Sequence, residues 1–430
     1  MPRYKIGTQH DRQSFQADWS AADVKTIKLR SAIIVYLAGL VMIYGAVFWN
    51  LRHMVRKGYS DFTIYYSAGG IVRHGLGHQL YDDQTQYRFQ QQFAQQVSIR
   101  QGPLPFNHPA FEALIFVPFS WLPYPVAFAV WDLINLALLA ALPFLLRPHL
   151  PELQSYSWPL WMLATLAFSP IFFALLQGQD AILLLLLYAL AFVCMKKQHD
   201  AWAGCWLALG LFKFHLVVPF VLLLVLQGRK KLLYGFVPVA SALVAVSLAV
   251  VGKEAMFSYP KYVLHLENLK AGGIAPSAMP NLRGILDMVL GSTPFFTPVV
   301  VTLSIGVISF AAWRSYGNDR FNLFNLKFSL AAFVTALVSF HAMDYDLSML
   351  MLPTFLLTDE LLAQGNFSEW PAWLIACSGM VLFFSPLQLL LLMRYGYLAL
   401  MGLAVLLCMC GIAGQISRRT RPSQSPYGTT

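Results

Sequence analysis

The sequence predicts an all-α polytopic membrane protein. Three observations carry that prediction. Of 430 residues, 57% are hydrophobic and only 12% are charged. The apolar residues come in runs of about 15 to 22 rather than at amphipathic spacing. The basic residues collect in short loops and tails between those runs, as cytoplasmic loops of membrane proteins do.

The first run, "SAIIVYLAGLVMIYGAVFWN", begins at Ser31 after a polar segment. It lies too far in and is too long for a cleaved signal peptide, so it is expected to stay as a spanning helix. Lys25, Lys28 and Arg30 precede it, and "KKQHD" (196–200), "GRKK" (228–231), "RSYGNDR" (314–320) and "SRRTR" (417–421) recur later. The positive-inside rule puts all five clusters on the cytoplasmic side. Twelve spans meet that parity, near residues 31–50, 126–146, 156–175, 181–195, 201–212, 214–226, 232–252, 296–312, 326–341, 346–362, 371–388 and 394–414. The short, proline-flanked "FEALIFVPFSWLP" (111–123) is then expected to dip in without crossing. Residues 1–30 and 415–430 become cytoplasmic tails around one membrane domain, 31–414.

This topology gathers three polar regions on the outer face: the loop 51–110, the loop 253–295, and the turns "LLQGQD" (175–180), "FKFH" (212–215) and "HAMDYD" (341–346). Arg52, Arg56 and Lys57 lie there against the positive-inside trend, beside a run expected to form an amphipathic helix on the membrane surface, where basic groups meet lipid phosphates. The net charge of +10 is therefore a topology signal and not a nucleic-acid face. Cys194, Cys205, Cys377, Cys408 and Cys410 all sit in apolar runs without metal-ligand spacing and are expected to pack as small hydrophobes. No Gly-rich phosphate loop or Rossmann fingerprint accompanies them.

The blocks "SDFTIYYSAGGIVRHGLGHQLYD", "PFNHPAFEALIFVPFSWLPYPVAFAVW", "LLQGQDAILLLLLYALAF", "AGCWLALGLFKFHLVVPFVLLLVLQGRKK" and "HAMDYDLSMLMLP" occur in this order. Together they resemble glycosyltransferase family 87, of the C superfamily of membrane glycosyltransferases that use polyprenyl-phosphate sugars. The resemblance implies a GT-C fold and transfer of a hexose, mannose above all. The donor would be a polyprenyl-phosphate sugar and the acceptor a lipid-linked or glycan molecule. The site would face outward from a bacterial inner membrane, with membrane lipids as surroundings, no nucleic acid and no cofactor. Three departures from the family pattern, "NHPA", "GQDA" and "NLR", leave sugar and acceptor unspecified.

The chemistry that such a donor demands selects the residues. A phosphodiester leaves as an anion without needing a proton, whereas a glycosidase requires an acid as well as a base or nucleophile. One carboxylate at the membrane surface therefore suffices, as general base toward the acceptor hydroxyl. Asp61, the first acidic residue after the first span, matches the family's outer-loop acid; Phe62, Tyr65 and Tyr66 flank it. As a bare sequence feature it would equally cap a short helix. By the same resemblance His341 matches a histidine that contacts donor phosphate. Lys213, charged within an apolar run, is either functional or a snorkelling lysine. His108, Gln177, Gln179, Asn281, Arg283 and Asp344 complete the expected substrate contacts with Tyr65 and Tyr66. Asp344 and Asp346 have Asp-x-Asp spacing, yet a monophosphate donor does not need the metal that neutralises a diphosphate, so no metal is expected and they are read as helix-start carboxylates or as partners orienting His341. A transporter, or a lipid-binding protein without catalysis, remains the alternative; no internal repeat supports the former. Either would leave sugar transfer untouched by Asp61→Asn.

Overall fold

The computed structural model describes residues 9–268, 276–291, 293–316, 323–365, 369–384, 390–391, 394–395 and 399–420. All regular structure among them is helical. In chain order the helices are α1 (Gln9–Arg56), α2 (Phe62–Arg73), α3 (Asp83–Gln90), α4 (Gln95–Arg100), α5 (Ala110–Phe116), α6 (Tyr124–Leu146), α7 (Trp158–Ala167), α8 (Ser169–Gln177) and α9 (Ala181–Lys196). There follow α10 (Asp200–Leu209), α11 (Phe214–Leu226), α12 (Leu233–Asn268), α13 (Leu282–Leu290), α14 (Phe296–Ser315), α15 (Phe324–Val338), α16 (Met351–Gln364), α17 (Trp370–Phe383) and α18 (Ala399–Thr420).

Among the described residues six stretches are long and apolar enough to cross a membrane, or seven if the bent pair α7 and α8 is one span; α9, α15 and α17 are shorter apolar helices. Their outward faces carry fully apolar side chains: Val35 and Met42 on α1, Leu133 and Phe144 on α6 and Val237 on α12 are all more than half exposed. Such a surface is stable against hydrocarbon and not against water. The chain is a multi-pass membrane protein.

The expected spans 31–50, 126–146, 181–195 and 296–312 fall inside α1, α6, α9 and α14. Elsewhere local chemistry redraws the elements. The expected span 156–175 is two helices bent by 72°, because Phe168 is extended and Pro170 opens the second helix without an N–H. Ser169 Oγ donates to Leu382 O at 2.8 Å across that break. The tail 1–30 is helical from Gln9 and continuous with α1. Helix α12 breaks at Gly252, where the expected span ends, but resumes to Asn268 through part of the expected outer loop. The span expected at 326–341 stops at Val338, which leaves His341 in a non-helical connection, and the one expected at 346–362 opens as a 3₁₀ turn, Tyr345–Leu350. Parts of 371–388 and 394–414, and residues 421–430, lie outside the described residues.

The stretch Asp200–Leu226 has the length of one crossing, 27 residues, which as a straight helix would separate its ends by about 40 Å. Its ends instead meet. Arg229 Nη1 donates to Asp200 Oδ1 at 3.2 Å. Gly204 and Gly235 let α10 and α12 touch backbone to backbone, where a side chain on either would strike the carbonyl of Leu232 or Ala201. α10 and α11 are therefore a hairpin, as the basic-loop parity required, with the 3₁₀ turn Gly210–Lys213 at its tip.

The short α5, with a 3₁₀ turn at Pro118–Trp121 after it, rises only about 10 Å and is too short to cross. The loop 51–110 holds α2, α3 and α4, but α2 is no surface helix: eight of its twelve residues are buried. Its aromatic face packs with Phe106, Phe116, Phe128 and Trp131 into a core of its own, separate from the large core of α6 to α18. The segments before α5 and at the end of α12 touch. Tyr259 Oη donates to Asn107 O at 2.9 Å and Gln86 Nε2 to Tyr262 Oη at 3.3 Å.

Candidate active site

The site forms where the ends of several helices converge between the two cores. Asp61 occupies the N-cap position of α2, yet its side chain makes no capping hydrogen bond. The carboxylate reaches across to another element: its Oδ2 accepts from Gln179 Nε2 at 2.8 Å, and Tyr345 adds a second side-chain hydrogen bond. Gln177 Oε1 accepts from the Asp61 backbone N–H at 3.1 Å. Asp61 remains half-buried. Burial raises its pKa, while Gln179, Tyr345, Lys213 and His108 oppose that rise.

Gln179 is placed by a tight turn. Gly178, at φ +61, ends α8 in the left-handed region that glycine tolerates. Trp131 Nε1 donates to Gly178 O at 3.0 Å and Asn135 Nδ2 to Gln179 O at 3.3 Å, both from α6. The Gln179 side-chain Oε1 then accepts from Tyr65 Oη at 2.6 Å and Lys213 Nζ at 3.1 Å. With its oxygen taken by two donors, only the amide N–H₂ is left to face Asp61.

Lys213, at the hairpin tip, is the cation of a buried lattice. Its Nζ lies 3.0 Å from Asp180 Oδ1, 3.0 Å from Asp346 Oδ1 and 5.0 Å from the Tyr345 ring centre. Asp346 Oδ2 accepts from Met343 N at 2.9 Å and stands 3.8 Å from His215 Nε2. Burial alone would raise the Asp346 pKa, but Lys213, His215 and the Met343 N–H outweigh it and hold the carboxyl below the usual range. The His215 ring is 6.1 Å from that of His341, which is half-buried. Asp344 caps its own turn by accepting from Tyr345 N at 2.9 Å; burial raises its pKa to about 7.

Beneath Asp61 lies a second cluster. His108 Nδ1 is 2.9 Å from Glu112 Oε2, and the His108 ring meets Tyr65 edge-on at 5.1 Å. The donor atoms of His108, Glu112 and Asp180 lie within 4.8 Å of one another, so these three are the residues that could hold a divalent ion.

Of the expected site residues, Asp61, Tyr65, His108, Gln177, Gln179 and Lys213 converge, with His341 and Asp344 at the border. Asn281 and Arg283 have another task. Asn281 caps α13 by accepting from Gly284 N at 2.9 Å and donates to Ser339 O at 2.8 Å. Arg283 Nη1 donates to Phe340 O at 3.1 Å and lies over the Phe340 ring. Both hold the connection that carries His341. Tyr66 turns the other way: its hydroxyl donates to Leu122 O, and it lines a separate cavity of about 300 Å³ with Arg73, His74 and Phe93. Asp344 and Asp346 lie at the start of the 3₁₀ turn, and the Asp346 carboxylate is taken up by Lys213 and His215 rather than by His341. Glu112, His215 and Tyr345 were not foreseen, although a lone carboxylate in "HPAFEALIF" is as anomalous as Lys213 in its run.

Residues 106–339 match the family model of glycosyltransferase family 87. The chain belongs to that family. It is 27% identical over 220 residues to the polyprenol-phosphate-mannose-dependent alpha-(1-2)-phosphatidylinositol pentamannoside mannosyltransferase of Mycobacterium tuberculosis, covering 50% of this chain and 49% of that protein. To the protein of the same description in Mycolicibacterium smegmatis it is 28% identical over 229 residues, 51% and 53% of the two chains. The chain thus spans about half the length of the curated relatives it matches. No solved structure matches it. Within this family-87 chain the matched stretch contains His108, Glu112, Gln179, Asp180, Lys213 and Asn281, while Asp61 and His341 flank it.

Proposed function

We propose that this protein transfers a mannosyl residue from a polyprenyl-phosphate carrier to a hydroxyl of a lipid-linked or glycan acceptor, at the outer face of a bacterial inner membrane. Asp61 acts as general base, displacement is direct and inverting, and no metal takes part. The donor follows from the family and from the names of the two mycobacterial relatives.

The observation that carries this reading is the bridge Asp61–Gln179–Lys213. A general base must be reachable by the hydroxyl it deprotonates and held in one orientation. Asp61 is half-buried, with one carboxylate oxygen fixed by Gln179, whereas Glu112, Asp180 and Asp346 are fully enclosed. Lys213 and the histidines His215 and His341 make the surroundings favourable to a departing phosphate. The half-buried His341 contacts that phosphate.

The test incubates the purified full chain with polyprenyl-phosphate-[14C]mannose, a glucose counterpart, and a bacterial lipid extract. Transfer of mannose to a lipid-extractable product, undiminished by EDTA and absent in Asp61→Asn, is expected. Loss of activity on chelation, restored by manganese or magnesium, would refute metal independence. A folded protein that transfers neither sugar would refute the function.

A further inference from the structure

We propose that the cavity at the C-terminal end of α2, lined by Tyr66 and Arg73, binds the phosphate-bearing headgroup of an anionic membrane phospholipid, with Arg73 as its phosphate anchor. The cavity is separate from the candidate active site. Tyr65 and Tyr66 are neighbours on α2, yet the Tyr65 hydroxyl goes to Gln179 beside Asp61, while the Tyr66 hydroxyl goes to Leu122 O and its ring lines this cavity. Arg73 closes the 12-residue helix, about 18 Å along its axis from Asp61.

The lining has the chemistry for an anion attached to a polar headgroup. Arg73 Nη1 donates to Ser120 O, which fixes the guanidinium at the cavity and uses one of its five N–H groups. No carboxylate among the described residues pairs with Arg73, and none lines the cavity. A half-buried guanidinium without a counter-anion invites one, and its planar fork suits a phosphate. His74 stands beside it, with Nδ1 donating to Gly70 O at 2.8 Å and Nε2 without a partner among the described residues. A further wall is aromatic. Phe93 stacks on Tyr124 at 4.7 Å, and Tyr66 meets the two rings edge-on at 4.9 and 5.4 Å; such faces pack against the carbons of glycerol or a polyol. Glycine keeps the cavity open. At Gly69 a side chain would strike the Phe116 carbonyl, so close packing on α5 explains that glycine, whereas at Gly70 a Cβ would meet only the Phe89 ring, 3.4 Å away. A glycine inside a helix costs stability, and what Gly70 leaves in return is the space of the cavity.

Volume and position name the source of the phosphate. The cavity, of about 300 Å³, stands at the small end of the range for ligand sites, about 300–1,000 Å³, so it takes a headgroup and not acyl chains. Ser120 and Pro123 line it just before α6, whose apolar span begins at Tyr124. Between those two residues Trp121 is 68% exposed, and Val126, Val130 and Leu133 continue the exposed apolar surface along α6. An exposed tryptophan at the end of an apolar span marks the headgroup level of the bilayer. The cavity therefore lies where lipid phosphates lie, with the face of α6 beside it for the acyl chains. A phospholipid seated there ties α2, and through it the backbone that carries Asp61, to the membrane surface.

The test follows thermal unfolding of the delipidated full chain in neutral detergent, titrated with phosphatidylglycerol, phosphatidylcholine or soluble sn-glycerol 3-phosphate. Phosphatidylglycerol should raise the unfolding temperature of wild type saturably, and the other two far less. Arg73→Gln should weaken the apparent affinity about ten- to hundredfold, the range for a lost hydrogen bond to a charged group. Arg73→Lys, which keeps the charge and loses the fork, should fall between the two and decides the matter if Arg73→Gln does not fold. Gly70→Leu, which fills the cavity and leaves Arg73 in place, should abolish saturation. Native mass spectrometry should show phosphatidylglycerol retained by wild type and lost from Gly70→Leu. Equal responses to phosphatidylglycerol in wild type and the variants overturn the proposal, because lipid around the whole perimeter would then cause them. Equal stabilisation by glycerol phosphate overturns the lipid as source, and equal stabilisation by phosphatidylcholine overturns the selection of an anion. None of these readouts needs sugar transfer, so they stand apart from the proposed reaction.

Discussion

The stretch after α1 delivers Asp61 to a half-open edge, whereas the turn before α16 buries Asp346 against Lys213 and within reach of His215. The same side chain is thereby given two states. Asp61 meets amide and hydroxyl donors, which orient a carboxylate without neutralising it. Asp346 meets a full cation at 3.0 Å, which holds its charge and removes its basicity. A carboxylate that must accept a proton cannot also be clamped by a lysine. The contrast separates the group suited to chemistry from those suited to holding the site in shape.

The sharpest way to break that comparison is Asp61→Asn. The amide keeps the shape and loses the basicity, so kcat should fall about 10²- to 10⁴-fold with thermal stability and donor binding close to wild type. Turnover within about threefold of wild type, in a protein shown to be folded, rejects the assignment. Lys213→Met should do the reverse and strike stability first. It leaves Asp180 and Asp346 buried without their cation, and breaking a buried pair costs about 3–5 kcal/mol. Thermal unfolding in detergent should drop sharply, and a well-folded Lys213→Met with normal turnover would show that the lattice does not depend on its lysine.

How much of this was legible in the sequence depended on whether a signal was local. Lys213 and Asp61 stand out because each is charged beside an apolar run. The hairpin tip that places Lys213 was legible too, from basic loops at 196–200 and 228–231 that had to share a side. Glu112 was missed because its meaning lies in Asp180, far along the chain, and no spacing rule joins them. The fate of Asn281 and Arg283 was hidden for the same reason: both spend their side chains on the backbone of Ser339 and Phe340. The 72° bend at Phe168 escaped because hydropathy averages over a proline that only backbone geometry exposes.

His341→Ala probes the border between the two regions and should have an intermediate effect. On the proposed role of His341 as a phosphate contact, its removal weakens donor binding or leaving-group stabilisation, so donor KM should rise several-fold, by roughly the 1.5–3 kcal/mol of a hydrogen bond to a charged group at most. Combined with Asp61→Asn its effect should be less than additive, since both residues act in one transition state. Full additivity in the double variant would separate them.

Tyr65→Phe should give the smallest effect and the cleanest measure of orientation. Tyr65 is fully buried, stacked on Phe116 at 4.8 Å, and its hydroxyl donates to the Gln179 oxygen at 2.6 Å. Phenylalanine fills the same space, so packing survives and only that donor is lost. Lys213 still holds the Gln179 oxygen, which keeps the amide from turning over and limits the damage to about 0.5–1.5 kcal/mol. Because Gln179 holds Asp61, the loss should appear in kcat, by about two- to tenfold, with donor KM unchanged. If Tyr65→Phe instead raises donor KM and leaves kcat intact, the hydroxyl serves substrate directly, and Gln179 is not what orients the base.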